Sequence, residues 1–173
     1  MKKVFINVTN HDLTEDQIAD IKSRGDWEIV DLPDDLRAIW SRIPATMSVG
    51  ALRWYLYPLD SWLYSIILNS DVVVILVHGE TTAVYRLVSD IERTKLLHCD
   101  ILAVAATTER QSIEVAKEDG YVEKRSVFVH RGFRSYYERE IRGWDYVICD
   151  GCGMDAPATH NGQKCPDCGG TYQ

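Results

Sequence analysis

The segment 71–77 restricts the fold of this chain more than any other. It reads DVVVILV, so that one aspartate is followed by six apolar residues, five of them β-branched. Continuous runs of this composition are typical of strands buried on both faces, and such strands occur in parallel sheets covered by helices. The run is far shorter than the roughly 18 apolar residues that a membrane span requires. We therefore predict an α/β fold with this strand at its centre.

Strand and helix patterns alternate on both sides of the central strand. The sequence predicts strands at 3–9, 27–32 and 101–106, and helices at 14–25, 33–40, 48–68 with a break near Pro58, and from 83 to about Leu97. The first helix begins with the sequence TEDQ at 14–17, which has the form of a capping box. Alternating strands and helices with short connections predict an open, mostly parallel, Rossmann-like sheet.

The last third of the chain has a different pattern. Two strand-like segments, 112–116 and 122–129, flank the turn signal Glu118-Asp119-Gly120, which predicts a β-hairpin arm at about 111–130. Residues 136–144 have the pattern of a short connecting helix or a linker. We therefore expect one domain over 1–144, which includes the arm, and a small separate unit over 145–173.

Four of the five cysteines form two Cys-x-x-Cys pairs within this small unit. They are Cys149, Cys152, Cys165 and Cys168, and a glycine follows each pair directly. Four thiolates complete a tetrahedral zinc shell without an open position, so we expect a structural zinc ribbon that does not activate water. His160 lies between the pairs but has no vacancy to fill. The alternative, four oxidised or simply buried cysteines, is disfavoured by the spacing and the glycines.

Charge and composition exclude several classes of partner. The formal net charge is −7, and only the arm region is net positive, so most of the surface would repel a long polyanion such as duplex DNA. The chain starts with Met1-Lys2-Lys3 and continues directly into a strand pattern, without the apolar segment of a secretion signal. We expect a cytoplasmic protein that binds neither duplex DNA nor a membrane.

Polar residues follow three of the predicted parallel strands, at the point where each strand ends. These segments read TNH at 9–11, HGETT at 78–82 and TTER at 107–110. The carboxyl ends of parallel strands share one edge of a sheet, and helix N-termini there present free amides to anions. Threonine and asparagine are also ordinary helix caps. Because three such segments coincide, we expect a pocket for a phosphate or a nucleotide.

Five short motifs within residues 3–137 resemble, in order and in spacing, those of one known family. They are NHDLTEDQ at 10–17, LPDDL at 32–36, WSRIP at 40–44, ATTER at 106–110 and VFVHRGFRSY at 127–136. The family is that of the small stand-alone CRISPR-associated ring nucleases encoded beside type III systems. Its glycine-rich loop corresponds here to GETTA at 79–83, which has one glycine where the family has two.

The resemblance implies a reaction. Ring nucleases open the cyclic oligoadenylate second messenger and thereby switch off type III CRISPR signalling. Cleavage resembles metal-independent transesterification, in which the ribose 2′-hydroxyl attacks the adjacent phosphate and leaves a 2′,3′-cyclic phosphate. The resemblance also implies a homodimer whose two-fold axis presents equivalent loops to cyclic tetra-adenylate. The protein would contribute positioning and electrostatic stabilisation, and no catalytic metal is expected.

Roles for individual residues follow from this hypothesis. Arg110 would stabilise the developing phosphate charge, Thr107 and Thr108 would position the phosphate, and His11 is a candidate general base or hydrogen-bond donor. The substrate-binding candidates are Asn10, Trp40, Ser41, Gly79, Glu80, Thr81, Thr82, His130, Arg131 and Arg134. A solvated charged surface is an equally good interpretation of the arm residues, and a tryptophan on a short helix is more often core than a stacking platform.

Two other functions fit the same sequence. The protein can be a sensor that binds a cyclic nucleotide through these segments without cleaving it and passes the signal through the ribbon. It can also be an adaptor whose ribbon contacts a protein, with the α/β domain as a scaffold. Binding without turnover would indicate the sensor, whereas no thermal shift with any cyclic oligoadenylate would indicate the adaptor.

Overall fold

A five-stranded sheet forms the centre of the computed structural model, which describes residues 1–94, 99–116, 121–138, 140–141 and 144–173. Its strands are β1 (Lys3–Val8), β2 (Glu28–Asp31), β3 (Val72–Val77), β4 (Asp100–Ala116) and β5 (Val122–Ser135). The order across the sheet is β2-β1-β3-β4-β5; the first four are parallel, and β5 is antiparallel to β4. The predicted α/β class with a mostly parallel sheet is confirmed.

Strand β3 lies in the middle of the sheet, as its composition predicts. All six of its residues are buried, because helices cover both faces. Val73, Ile75 and Val77 face one cluster of apolar side chains, whereas Val72, Val74 and Leu76 face the other. The position between β1 and β4 therefore explains the absence of polar alternation in this segment.

Within the described residues, five helices connect the strands. They are α1 (Glu15–Ser23), α2 (Asp34–Ser41), α3 (Val49–Tyr55), α4 (Tyr57–Ile67) and α5 (Thr81–Arg93). The predicted capping box of α1 is confirmed, since Thr14 Oγ accepts from the Gln17 amide and Gln17 Oε1 accepts from the Thr14 amide. The predicted long helix breaks at Leu56, which places Pro58 in the first turn of α4, where proline is tolerated. The predicted end of α5 near Leu97 lies outside the described residues.

The hairpin arm is longer than the sequence predicts. Strand β4 pairs with β3 only as far as Val104, and beyond it β4 and β5 continue together to the pair Ala116–Val122. The segment 107–110, which is predicted to follow the end of this strand, is instead part of β4. Its polar residues resemble a loop only because this half of the strand is not covered by helices. The predicted turn at Glu118-Asp119-Gly120 lies outside the described residues.

The C-terminal ribbon packs against the end of α1. It contains β6 (Tyr146–Ile148), β7 (Asp155–Pro157) and a 3₁₀ turn (Ala158–His160). Within the described part of the connector before it there is no helix, and Trp144 is buried beneath the sheet beside Trp27. No helix in the described ranges has the length and apolar character to cross a bilayer.

Candidate functional site

The ends of β1 and β3 and the start of the arm meet at a cavity of about 280 Å³. The cavity lies on the side of the sheet that α1 covers, and it is lined by Thr9, His11, Asp12, Leu13, Gln17, Leu76, His78, Ala106 and Thr108. Of the four predicted catalytic residues, His11 and Thr108 line it and Thr107 and Arg110 do not. The chain places β2 on one side of β1 and β3 on the other side, so the direction in which strands are added to the sheet changes between β1 and β3. Ligands bind at such positions in open α/β sheets.

A buried polar network shapes the loop that carries His11. Asn7, fully buried in β1, donates from Nδ2 to the His11 carbonyl at 2.9 Å and to Asp31 Oδ1 at 2.8 Å. Thr9 Oγ lies 2.8 Å from Asn7 Oδ1 and accepts from the His11 amide at 3.1 Å. The backbone of His11 is therefore fixed at both its N–H and its carbonyl. Asn10, by contrast, is exposed and does not line the cavity.

The loop after β3 is held by a tryptophan. Trp40 is 1% exposed, and its Nε1 donates to the His78 carbonyl at 3.0 Å. A Cβ atom added to Gly79 would lie 2.7 Å from the same Nε1, so the glycine is needed for the indole to approach the backbone. Trp40 is therefore a core residue, which is the interpretation that the sequence favours over stacking on a base, and its buried ring has no exposed face for a ligand. Ser41 is exposed and donates to the Ala38 carbonyl within its own helix.

The N-terminus of α5 is capped by its own chain. The carboxylate of Glu80 accepts from the Ala83 amide at 2.8 Å, and backbone hydrogen bonds from Thr82 and Ala83 lower the pKa of this carboxyl group. The exposed Thr81 and Thr82 begin the helix. The amides that were expected to meet a phosphate are thus occupied by a carboxylate. A phosphate would have to displace Glu80 to use them.

The segment 107–110 distributes its side chains along the arm rather than around a loop. Thr108 lines the cavity, whereas Thr107 Oγ donates to the Gly132 carbonyl at 3.0 Å. A register shift in the β4–β5 ladder lies between these two threonines. Arg110 is two residues farther out on the same strand face as Thr108, and its Nε donates to Ser126 Oγ at 2.9 Å. The exposed Arg110 is therefore hydrogen-bonded to the neighbouring strand of the arm in this conformation.

The three predicted arm residues of β5 do not form one group. His130 is 6% exposed, and its Nε2 lies 3.0 Å from Asp20 Oδ2 on α1. Arg131 is an ion-pair partner of Glu109 on the exposed arm surface. Arg134 pairs in register with Ala105, whereas its neighbour Phe133 packs toward the α1 side. None of the three lines the cavity.

Several residues of the cavity were not selected by sequence reasoning. Asp12, Gln17 and His78 line it, and Asn7 organises one of its walls. A lone asparagine inside the apolar strand KVFINV was the available signal for Asn7, because a polar side chain in a buried strand needs internal hydrogen-bond partners. His78 was within a predicted segment but received no role.

A larger cavity of about 710 Å³ lies on the opposite face, between α4 and α5. Its floor is apolar, with Leu63 and Ile75 among the lining residues, and the ion pair of Arg86 with Asp60 lies at its side. None of the candidate residues from the strand ends lines it. The larger cavity is favoured by its size, whereas the polar residues and the strand order favour the smaller cavity as the ligand site.

The four paired cysteines converge on one point. Their Sγ atoms all lie within 4.8 Å of one another, with 3.4 Å between Cys149 and Cys168 and 3.8 Å between Cys152 and Cys165. Tetrahedral zinc with Zn–S bonds of about 2.3 Å requires sulfur atoms about 3.8 Å apart. The cluster therefore has the donor type and the geometry of a closed tetrahedral metal site.

Glycines permit the close approach of the two knuckles. A Cβ atom on Gly151 would lie 2.8 Å from Cys168 Sγ, and one on Gly170 would lie 2.8 Å from Cys149 Sγ. The amides of these same glycines lie 3.4 Å from Cys149 Sγ and Cys168 Sγ respectively, where they can donate to thiolates. A hydrogen bond from the Tyr172 hydroxyl, together with nearby backbone amides, lowers the pKa of Cys165 to about 6. At Cys168, in contrast, the hydrogen bond from the Gly170 amide is outweighed by the neighbouring cysteines, which raise its pKa to about 12. A bound cation would therefore be needed to ionise all four thiols together.

The sequence comparisons assign the larger domain to a family. The model of the uncharacterized protein MJ1673 family matches residues 3–134. The chain belongs to the MJ1673 family. The uncharacterized protein MJ1673 of Methanocaldococcus jannaschii is 31% identical over 137 residues, which is 79% of this chain and 98% of that protein. No solved structure matches the chain.

The MJ1673 family match includes the sheet, the candidate cavity and the arm. It begins at the start of β1 and ends within β5, so the cysteine ribbon lies outside it. The cavity therefore lies within the part of the chain that matches the family, whereas the cysteine cluster lies outside it.

Proposed function

We propose that the protein is a ring nuclease that opens cyclic tetra-adenylate by attack of a ribose 2′-hydroxyl on the adjacent phosphate, without a catalytic metal. The observation that carries the proposal is the convergence of His11, His78 and Thr108 on one cavity. This cavity lies between the ends of β1 and β3, where the direction of strand addition changes. Transesterification needs proton transfer and a positioned phosphate, and imidazole and hydroxyl groups supply these functions. In this proposal the sheet is Rossmann-like and the protein works in the cytoplasm, where such a messenger would occur.

The size of the cavity favours action by a homodimer. A volume of about 280 Å³ is at the low end for small-molecule sites, so one cavity accommodates only part of a tetranucleotide ring. Two cavities related by a two-fold axis would engage equivalent phosphates on opposite sides of the ring. In the proposed dimer the ribbon holds zinc as a structural ion, and the ligand, rather than duplex DNA, is the nucleic-acid partner.

Arg110 keeps its proposed role through a change of hydrogen bond. The arginine exchanges Ser126 Oγ for a phosphate oxygen when the ring binds. Both oxygens accept hydrogen bonds from a guanidinium group, but the ionised phosphate binds it more strongly than the neutral hydroxyl does. A matched control is available on the same arm: Arg125 is also an exposed arginine, but it lies on the other strand face and pairs with Glu123. We expect Arg110→Ala to slow cleavage at least tenfold and Arg125→Ala to leave it unchanged.

The decisive experiment is incubation of the full chain with cyclic tetra-adenylate and a chelator, followed by mass spectrometry. Linear products ending in a 2′,3′-cyclic phosphate support the proposal. Zinc content and the melting temperature are measured in the same samples, so that loss of the ribbon metal is not mistaken for a catalytic requirement. Binding of the ring without cleavage would indicate a sensor instead of a nuclease. If the folded protein neither binds nor cleaves the ring, both functions are ruled out.

A further inference from the structure

Two histidines line one cavity at the ends of adjacent parallel strands. Val8 and Val77 are paired across β1 and β3, and His78 follows this pair directly while His11 follows it three residues on. Both residues line the cavity and both are exposed. Among the residues that the structure describes, neither ring has a hydrogen-bond or ion-pair partner. Their nitrogens are therefore available to a ligand.

The backbones of the two histidines are held on both sides. The His78 amide donates to the Val8 carbonyl at 3.1 Å, and the His78 carbonyl accepts from Trp40 at 3.0 Å. The amide and the carbonyl of His11 are engaged by Thr9 and Asn7. A fixed backbone with an unengaged ring is the arrangement that proton transfer requires, since the ring must be positioned and must also exchange its proton.

Other ionisable groups near the end of β3 are not suited to donate a proton at neutral pH. Glu80 is bound by the α5 amides, which lower the pKa of its carboxyl group, so it is ionised. The Tyr136 hydroxyl donates to the Val77 carbonyl at 2.9 Å, and burial raises its pKa. Asp12 is the ion-pair partner of Arg37. An imidazole, in contrast, changes its charge between about pH 5 and 8.

We infer that His78 is the general acid that protonates the departing ribose 5′-oxygen, a catalytic role that rests on the proposed ring-nuclease function. His11 accepts the proton of the 2′-hydroxyl, and the 2′-oxygen forms a bond to phosphorus. The bond from phosphorus to the 5′-oxygen breaks, and that oxygen takes the proton of the His78 imidazolium. The products are a 2′,3′-cyclic phosphate and a 5′-hydroxyl, so that no water, metal or other reactant is consumed.

A sulfur-substituted ring tests the assignment directly. In this analogue of cyclic tetra-adenylate, sulfur replaces the 5′-bridging oxygen of each linkage, and a thiolate leaves without protonation. We expect His78→Gln to slow cleavage of the ordinary ring by about 10²–10⁴-fold and to cleave the sulfur-substituted ring at nearly the wild-type rate. His11→Gln should be slow on both rings, because the attacking hydroxyl still needs a base. Both residues are exposed, so unchanged melting temperatures verify that the variants are folded.

The outcomes separate this assignment from the proposed function. If wild-type protein cleaves the rings but His78→Gln is equally slow on both, or is as fast as wild type on the ordinary ring, the assignment is wrong and the nuclease remains. If His11→Gln is the variant rescued by sulfur, the two roles are reversed and the assignment is again wrong. If wild-type protein leaves both rings intact, the proposed function fails and the assignment fails with it.

The pH dependence of cleavage gives a second readout that a structural role would not change. A general acid acts when it is protonated and a general base acts when it is neutral, so the rate of the wild-type protein should decline at both high and low pH. The charged groups around His78 are His11 and Asp12 from the β1–α1 loop, Arg37 from α2 and Glu80 before α5. His78→Gln should lose the alkaline decline and keep the acidic one. A profile with both declines in His78→Gln would overturn the assignment.

Discussion

At the scale of single residues, Gly79 determines how closely the loop after β3 approaches α2. The nearest neighbours of a Cβ atom at this position would be three atoms of the Trp40 indole, at 2.7 to 3.0 Å. The indole cannot move aside easily, because it is buried and hydrogen-bonded to the His78 carbonyl. The φ angle of Gly79 is not positive, so the requirement for glycine here is steric. One missing methyl group thus sets the position of the loop that carries His78.

We therefore predict that Gly79→Ala destabilises the protein by about 1–3 kcal/mol, the usual cost of inserting a carbon into a well-packed core. The free energy of unfolding is measured by urea denaturation. The matched control is Gly50→Ala, also in the α/β domain, where an added Cβ atom meets nothing within 4 Å. Because Gly50 lies in α3, alanine there should be neutral or stabilising by up to about 1 kcal/mol. Equal effects of the two substitutions would contradict the steric explanation.

Residue roles were the part of the site that the sequence predicted least well. The pattern correctly brought His11, Thr108 and the loop at 78 to one place, because parallel strands end at one edge. The pattern predicted that Gly79 binds a phosphate. The actual reason for this glycine is its contact with Trp40, which is distant in the sequence and so not visible in the local pattern. The pattern also assigned Glu80 to a ligand although a carboxylate three residues before Ala83 has the spacing of an N-cap. Contacts between distant segments are not encoded in the local pattern.

At the scale of elements, β4 has two different surroundings along its length. Ile101 and Val104 are buried in the sheet, whereas Glu114 near the end of the strand is exposed on the arm. Sequence patterns identify buried strands by apolar runs, so the predicted strand ended at Ala106, where helix cover ends. The arm itself was predicted because its turn signal and its two strand-like segments are local features of the sequence. The length of the arm could not be predicted in this way, because it depends on the pairing between β4 and β5.

Strand β1 depends on one buried amide for the geometry of the loop after it. Asn7→Ala removes the donors to His11 and Asp31, and we expect it to lower the free energy of unfolding by about 1–3 kcal/mol, because the buried hydroxyl of Thr9 also loses the Asn7 oxygen that accepts from it. It should also accelerate amide hydrogen exchange at His11. Asn10→Ala, at the exposed asparagine of the same loop, is the control for stability and should be within about 0.5 kcal/mol of wild type. No difference between the two variants would show that the network does not hold the loop.

At the scale of the whole molecule, the ribbon and the α/β domain meet at the end of α1. Arg24 donates to the Trp144 carbonyl at 3.1 Å and lies over the Trp144 ring at 4.5 Å, so the last residue of the α/β domain before the ribbon is held against α1. A Cβ atom on Gly25, which has a φ of +129°, would lie 2.9 Å from Asn161 of the ribbon. The main core is nevertheless built without the ribbon, whose small apolar cluster is separate. The MJ1673 family match likewise ends before the ribbon.

We therefore predict that residues 1–144 fold without the ribbon, and that the ribbon folds only with its metal. Zinc contributes about 10–16 kcal/mol to folding in small metal-dependent units, far more than the five buried residues of the ribbon cluster can supply. Cys149→Ser should abolish the single bound zinc per chain, whereas Cys99→Ser, at the cysteine outside the cluster, should retain it. Calorimetry of Cys149→Ser should keep the main transition of the α/β domain. If loss of zinc also abolishes that transition, the ribbon is a required part of the α/β domain's fold rather than an addition to it.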